Sequence, residues 1–199
     1  DIAIDFHGRV SPAMSIRLLK ALEPYYPLFV EEPVLPENVD EMVRVSRSTT
    51  IPIAAGERLF TKFGFRELIE KQAVSVVQPD LCHCGGIFEA RKIAAMAETY
   101  YMQIAPHNPL GPISLAACMQ LDACVPNLLA QEHPGMPDHA DLGVGILKTP
   151  FKIEDGYIRI PEGPGLGIEV DEDRLDALRF DGTWDTPHLE FEDGSIADW

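Results

Sequence analysis

The chain has 199 residues, which is long enough to bury a substantial core. Hydrophobic residues make up 46% of it and charged residues 24%, a composition typical of globular proteins. The formal net charge of −16 argues against nucleic acid as a partner, because proteins bind that polyanion through Lys and Arg. No apolar stretch approaches the roughly 20 residues that span a bilayer, so we expect a cytoplasmic protein without a membrane partner.

Six short apolar runs recur along the chain, and each is followed closely by a polar residue that could carry chemistry. The runs cover residues 2–4, 28–30, 51–55, 74–77, 102–105 and 128–130, and the polar residues are Asp5, Glu31, Glu57, Asp80, His107 and Glu132. Successive polar residues stand 23 to 27 positions apart. Such a repeat predicts strand and helix units in alternation.

The segments between the runs are predicted to be helices, covering 11–23, 38–48, 63–71, 86–100 and 112–124. Ser11 and Pro12 are suited to the N-cap and the first turn of the first one. Alternating strands and helices give parallel strands, and chemistry confined to their carboxyl ends favours a (β/α) barrel. The alternative, a doubly wound dinucleotide-binding sheet, is weakened because no Gly-x-Gly-x-x-Gly follows a run.

Eight strands close such a barrel, whereas the sequence holds six apolar runs. We therefore expect the C-terminal part of a larger protein, with residues 1–150 as part of the barrel and 151–199 as an extension. Short strands are predicted over 151–170 and a helix over 171–178, while Trp184 and Trp199 should pack at the rim or on the missing part. A partial barrel exposes two strand edges, so the missing N-terminal part should be needed for folding and activity.

A carboxylate and a histidine stand two positions apart near the start of the chain, at Asp5 and His7. Side chains two apart on a strand share a face, so Asp5 and His7 should project together. Asp5, Glu31 and Glu57 follow three successive strands and should converge, and three carboxylates with open water positions suit Mg²⁺. Glu31 is chosen over Glu32 because the alternation of a strand places Glu32 on the other face.

A carboxylate and a histidine are predicted to pair on the opposite side of the barrel mouth. Asp80 would orient the His107 ring and raise its basicity, as a general base requires. Glu132 lies beside them as a possible contact to substrate. The run Cys82-His83-Cys84 invites a zinc interpretation, but no second pair of ligands stands at a useful distance, so reduced thiols near a turn are favoured.

Several short motifs, taken together, resemble those of a known enzyme family. They are Asp5-Phe6-His7-Gly8-Arg9, Glu31-Glu32-Pro33, Ala55-Gly56-Glu57-Arg58, Gln78-Pro79-Asp80, residues 105–112 and Gln131-Glu132. The combination resembles the mandelate racemase branch of the enolase superfamily, and within it the acid-sugar dehydratases. The resemblance implies a (β/α)7β TIM-like barrel with an N-terminal capping domain, of which this chain would contribute the last six strands.

The resemblance also implies roles for the residues. Mg²⁺ would be held by Asp5, Glu31 and Glu57, and His107, paired with Asp80, would take the C2 proton of an aldonate. His7 would protonate the departing 3-hydroxyl, which favours elimination over racemisation. The residues that would contact the substrate are Arg9, Asn108 and Glu132.

The resemblance leaves the substrate and the assembly open. D-galactonate is the favoured substrate and D-gluconate its near competitor, with a 2-keto-3-deoxy acid as the product. A racemase or epimerase of the same superfamily is an alternative reaction, and an inactive barrel kept as a structural subunit is an alternative class. A homo-oligomer is expected.

Overall fold

The computed structural model describes residues 1–180, 182 and 190–195. Its centre is a five-stranded parallel sheet in which every strand lies beside the next one in the chain. The strands are β1 Ala3–Asp5, β2 Phe29–Glu31, β3 Ile53–Ala55, β4 Val76–Val77 and β5 Gln103–Ile104. This strand order is that of a barrel wall. In a doubly wound sheet, by contrast, the order of the strands across the sheet reverses after the first few strands.

The sixth predicted strand is present only as a remnant. Leu128 forms a single parallel bridge with Ile104, held by hydrogen bonds from Ile104 N to Asn127 O at 2.8 Å and from Leu129 N to Ile104 O at 2.7 Å. The prediction of a full strand over 128–130 was therefore wrong in extent. Its position beside β5 nevertheless continues the order of the sheet.

Helices follow the strands, and their ends show why they form there. They are α1 Pro12–Leu22, α2 Val39–Ser46, α3 Thr61–Glu70, α4 Leu81–Cys84, α5 Ile87–Glu98 and α6 Pro112–Asp122. The Ser11 side chain accepts a hydrogen bond from Met14 N at 3.4 Å, and Asn38 accepts one from Glu41 N at 3.2 Å. Both side chains satisfy backbone donors that the first helical turn leaves unpaired.

The core lies between the sheet and the helices. The apolar stripe of α5 is buried there, with Ala90, Ile93 and Ala97 each 0% exposed. The same cluster contains Leu19 from α1, Met42 from α2 and further side chains from α3 and the strands. Burial of one face of each helix holds the strand ends, and thus the polar residues that follow them, in fixed positions.

The segment after residue 132 includes a loop and a small extension. A 3-10 turn over Ala140–Leu142 packs Leu142 against Leu115 and Met119 of α6. Strands β6 Ile153–Glu154 and β7 Tyr157–Ile158 form an antiparallel hairpin, and the helix α7 spans Glu172–Ala177. Trp184 and Trp199 lie outside the described residues. Within the described part of the chain, no helix is long and apolar enough to cross a membrane.

Candidate active site

Asp5 and His7 are brought together by a turn rather than by the pleat of a strand. Strand β1 ends at Asp5, and His7 adopts a left-handed backbone conformation with φ 54°. The His7 N–H donates to Asp5 Oδ1 at 2.6 Å, and His7 Nδ1 lies 2.7 Å from Asp5 Oδ2. The prediction that the two side chains meet is confirmed, although the reason given for it was wrong.

Glu57 lies between two histidines. His7 Nε2 is 3.8 Å from Glu57 Oε1, and His107 Nε2 is 3.2 Å from Glu57 Oε2. Burial opposes ionisation of Glu57, but the hydrogen bond and charge of His107 outweigh it and lower the pKa of this carboxyl. The fold thus places Glu57, the predicted Mg²⁺ ligand that follows the third strand, in contact with both predicted catalytic histidines.

Asp80 holds the opposite side of His107. It is 0% exposed, and its Oδ2 lies 2.8 Å from His107 Nδ1. Its Oδ1 accepts hydrogen bonds from Cys82 N at 2.7 Å and from His83 N at 3.3 Å, because Asp80 is the N-cap of α4. Burial works against protonation of the His107 ring, yet its bonds to the two carboxylates raise its pKa to about 10.

Helix α4 explains the run Cys82-His83-Cys84, which the sequence reading treated as a turn. Four residues are too short for an apolar period to appear, so only the capping aspartate and Gly85, with φ 114°, could have indicated a helix. Cys84 is buried and Cys82 is exposed, and both are free thiols. The two thiols therefore have different surroundings, one in the core and one at the surface.

The two neighbouring glutamates at the end of β2, Glu31 and Glu32, have different surroundings. Burial is the largest cause that raises the pKa of Glu31 to about 7, against a lowering contribution from the Gln78 side chain. The negative charges of its neighbours raise it further, and these neighbours are Asp5, Glu132 and Glu57. Glu32 is 0% exposed, and its Oε1 accepts a hydrogen bond from Gly56 N at 3.1 Å.

Glu132 and Asn108 pack against each other. Asn108 N donates to Glu132 Oε2 at 2.8 Å, and Asn108 Nδ2 lies 3.4 Å from the Glu132 carbonyl oxygen. Asn108 is 0% exposed, which makes it a support for Glu132 in this conformation. Arg9 is exposed, and its backbone N–H donates to Phe6 O at 3.1 Å.

A third histidine and aspartate pair lies in the loop that follows Glu132. His133 Nδ1 is 2.8 Å from Asp141 Oδ2, and Asp141 is 2% exposed. Gly135 N and Met136 N donate to the same carboxylate at 3.1 and 3.2 Å. The sequence analysis missed this pair, because a loop has no periodicity that would relate residues eight positions apart.

The carboxylates fit a cation in charge and in donor type, but their present conformations serve other partners. In the described ranges, no three His, Cys, Asp or Glu side chains already converge as the ligands of a metal would. Asp5 is turned to His7 and Glu57 to His107. Burial first, and then the negative charges of Asp5, Glu132 and Glu57, raise the pKa of Glu31, and a divalent cation would neutralise that charge.

Comparison with known proteins identifies the fold family. Residues 1–174 match the family model described as Enolase C-terminal domain-like. The chain belongs to this family. The predicted resemblance is confirmed, and the α/β fold described above is the TIM-barrel part of the enolase superfamily.

Two curated relatives and one solved structure are similar to the chain over its whole length. The D-galactonate dehydratase of Variovorax paradoxus (strain S110) is 48% identical over 205 residues, covering 100% of this chain and 53% of the relative. That of Klebsiella pneumoniae (strain 342) is 44% identical with the same coverage. The crystal structure of a mandelate racemase/muconate lactonizing enzyme from Sulfitobacter sp is 43% identical with a TM-score of 0.88, covering 100% of this chain and 48% of that one. The chain spans about half the length of the curated relatives it matches.

Proposed function

We propose that the protein containing this chain is a hydro-lyase that dehydrates an aldonate sugar acid, with D-galactonate as the first substrate to test. The observation that carries the proposal is the position of Glu57, with a histidine on each of its two oxygens. Two histidines on opposite sides of one site can act as a base and an acid on neighbouring carbon atoms. The D-galactonate dehydratases at 44–48% identity support the same reaction class.

The first chemical task is removal of the C2 proton, which we assign to His107. Asp80 fixes the tautomer through Nδ1, so that Nε2 faces the site on the Glu57 side. His107 must lose its own proton before it can act as a base. A group that engaged Glu57 would weaken its contact with His107 and lower the pKa of the ring towards the working range.

The second task is loss of the 3-hydroxyl, which we assign to His7. Asp5 accepts from both the backbone and the ring of His7, and this fixes the ring on the side of Glu57 away from His107. A protonated His7 would donate its Nε2 proton to the departing oxygen, which leaves as water. The resulting enol takes up a proton at C3 and becomes the 2-keto-3-deoxy acid.

Mg²⁺ is the proposed cofactor, held by Asp5, Glu31 and Glu57. When bound, the cation would stabilise the negative charge that develops on the substrate carboxylate as C2 loses its proton. Glu132 would contact a substrate hydroxyl, supported by Asn108, and Arg9 remains a proposed substrate contact. A cytoplasmic location and a homo-oligomer also remain proposals.

The experiment is a screen of the full-length protein with Mg²⁺ against aldonate and aldarate sugars, with detection of 2-keto-3-deoxy acids. The proposal predicts turnover of D-galactonate. Preferential turnover of D-gluconate would correct the substrate and retain the reaction class. Formation of C2 epimers without loss of water would replace dehydration with racemisation.

A further inference from the structure

One buried residue, Glu32, ties together the ends of three neighbouring strands through its backbone and its side chain. The Glu32 N–H donates to Ala54 O at 2.9 Å, and the Glu32 carbonyl accepts from Gly8 N at 2.7 Å. Its side-chain Oε1 accepts from Gly56 N at 3.1 Å. Gly8 directly follows His7, and Gly56 directly precedes Glu57, so Glu32 contacts the backbone beside both.

The Gly56 N–H needs the partner that Glu32 provides. Gly56 has φ 142°, and a Cβ added there would lie 2.8 Å from Phe65 Cε1 and 3.0 Å from Gln78 N. The turn is therefore packed too tightly for a side chain. A buried N–H without an acceptor is costly, so the Glu32 carboxyl fixes the direction in which the chain enters Glu57.

The position of Glu32 also differs from that of Glu31, the proposed Mg²⁺ ligand. Its φ of 40° departs from strand geometry directly after β2, and its side chain is 0% exposed. Its Oε2 has no hydrogen-bond partner in the described part of the chain. Glu31, in contrast, is the last residue of β2 and lies opposite Asp5 in the register of the sheet.

We propose that Glu32 is a positioning residue, which orients Glu57 for the cation through the Gly56 N–H and does not bind the cation itself. Only the acceptor at Oε1 is needed for this task, because Oε2 makes no hydrogen bond. The inference rests on the proposed magnesium site. It assigns different roles to the two adjacent glutamates of one short motif.

The test is calorimetric titration of Mg²⁺ into the full-length protein and into the variants Glu32→Gln, Glu32→Leu and Glu31→Gln. Glu32→Gln keeps an acceptor for Gly56, so its Kd should stay within about threefold of wild type. Glu32→Leu removes the acceptor and should weaken binding roughly 10–100-fold, as expected for residues that orient metal ligands. Glu31→Gln should weaken it further. Glu70→Gln, on the exposed end of α3, is the matched control for loss of one negative charge.

Activity gives a second readout that a general loss of stability would not produce. In Glu32→Leu, the Mg²⁺ concentration for half-maximal turnover should rise about as much as the Kd, with turnover at saturating Mg²⁺ largely retained. A structural defect alone would lower turnover at every Mg²⁺ concentration. If Glu32→Leu does not fold, comparing the Kd values of Glu32→Gln and Glu31→Gln for Mg²⁺ decides whether Glu32 binds the cation.

Three results would overturn the inference. They are a Glu32→Gln variant as weak as Glu31→Gln, a folded Glu32→Leu variant that binds like wild type, and a wild-type protein that binds no Mg²⁺. The proposed function fails separately, if the wild type binds Mg²⁺ but dehydrates no sugar acid. In that case the same titrations still judge the role of Glu32.

Discussion

Gly56 shows at the scale of one residue how packing dictates sequence next to a functional group. A Cβ there would lie 2.8 Å from Phe65 Cε1 and 3.0 Å from Gln78 N, closer than van der Waals contact allows, in a backbone region that favours glycine. We predict that Gly56→Ala destabilises the full-length protein by about 3 kcal/mol, from strain and overpacking. Chemical denaturation measures this directly. Gly111→Ala is the control, because a Cβ at Gly111 meets nothing within 4 Å, and equal stability losses in the two variants would contradict the account.

The residues that sequence alone could assign are those with a regular position. Asp80 and His107 follow adjacent strands, so the repeat placed them side by side, and the structure joins them at 2.8 Å. The Asp5 and His7 contact was expected from strand geometry but depends on a left-handed turn. The role of Glu32 could not be deduced, since it requires knowing which backbone N–H lies across the sheet.

The loop after Glu132 is an element held by a single buried carboxylate. Burial opposes its ionisation, but hydrogen bonds from His133 and Gly135 outweigh this and lower the pKa of Asp141. Because the folded-state pKa is depressed, the stabilisation exists above the unfolded pKa of about 4 and is lost as pH falls through the folded value. We predict that Asp141→Asn lowers stability at pH 7 by about 2 kcal/mol, with a smaller difference at pH 3. Thermal unfolding at both pH values tests this, and a difference independent of pH would contradict it.

The end of α6 should respond to pH in the opposite direction. Burial raises the pKa of Asp122 to about 7, and its Oδ1 has no hydrogen-bond partner in the described part of the chain. The folded state therefore holds the proton more tightly, and ionisation costs stability increasingly from pH 4 to 7. Asp122→Asn should raise the Tm at pH 8 and leave it nearly unchanged at pH 4. A lower Tm at pH 8 would show that the carboxylate is stabilising.

At the scale of the elements, the repeat of apolar runs located more strands and helices than local signals such as helix caps did. Five strands and five long helices lie where the repeat placed them, with ends that differ by a few residues. Helix α4 was missed, since four residues cannot display a period. The strand predicted at 128–130 was too long, because an apolar run does not reveal how many of its residues pair with a neighbouring strand.

At the scale of the whole molecule, the dominant physical feature is negative charge. The chain carries −16 overall, and the negative charges of Asp5, Glu132 and Glu57 act on Glu31. We predict that Mg²⁺ raises the Tm of the full-length protein, because binding to the folded state at about 100 times Kd adds about 2.7 kcal/mol. A chelator should remove both the added stability and the turnover, and Mg²⁺ should restore them. Turnover that survives complete metal removal would contradict the site.

The central claim is that His107 takes the C2 proton and His7 delivers a proton to the leaving hydroxyl. The most direct measurement is proton NMR of D-galactonate in D₂O with the full-length protein, following exchange at C2 and formation of the keto acid together. The account predicts that His107→Asn loses both, whereas His7→Asn keeps C2 exchange and slows dehydration at least about 100-fold. Dehydration at the wild-type rate in His7→Asn would contradict it.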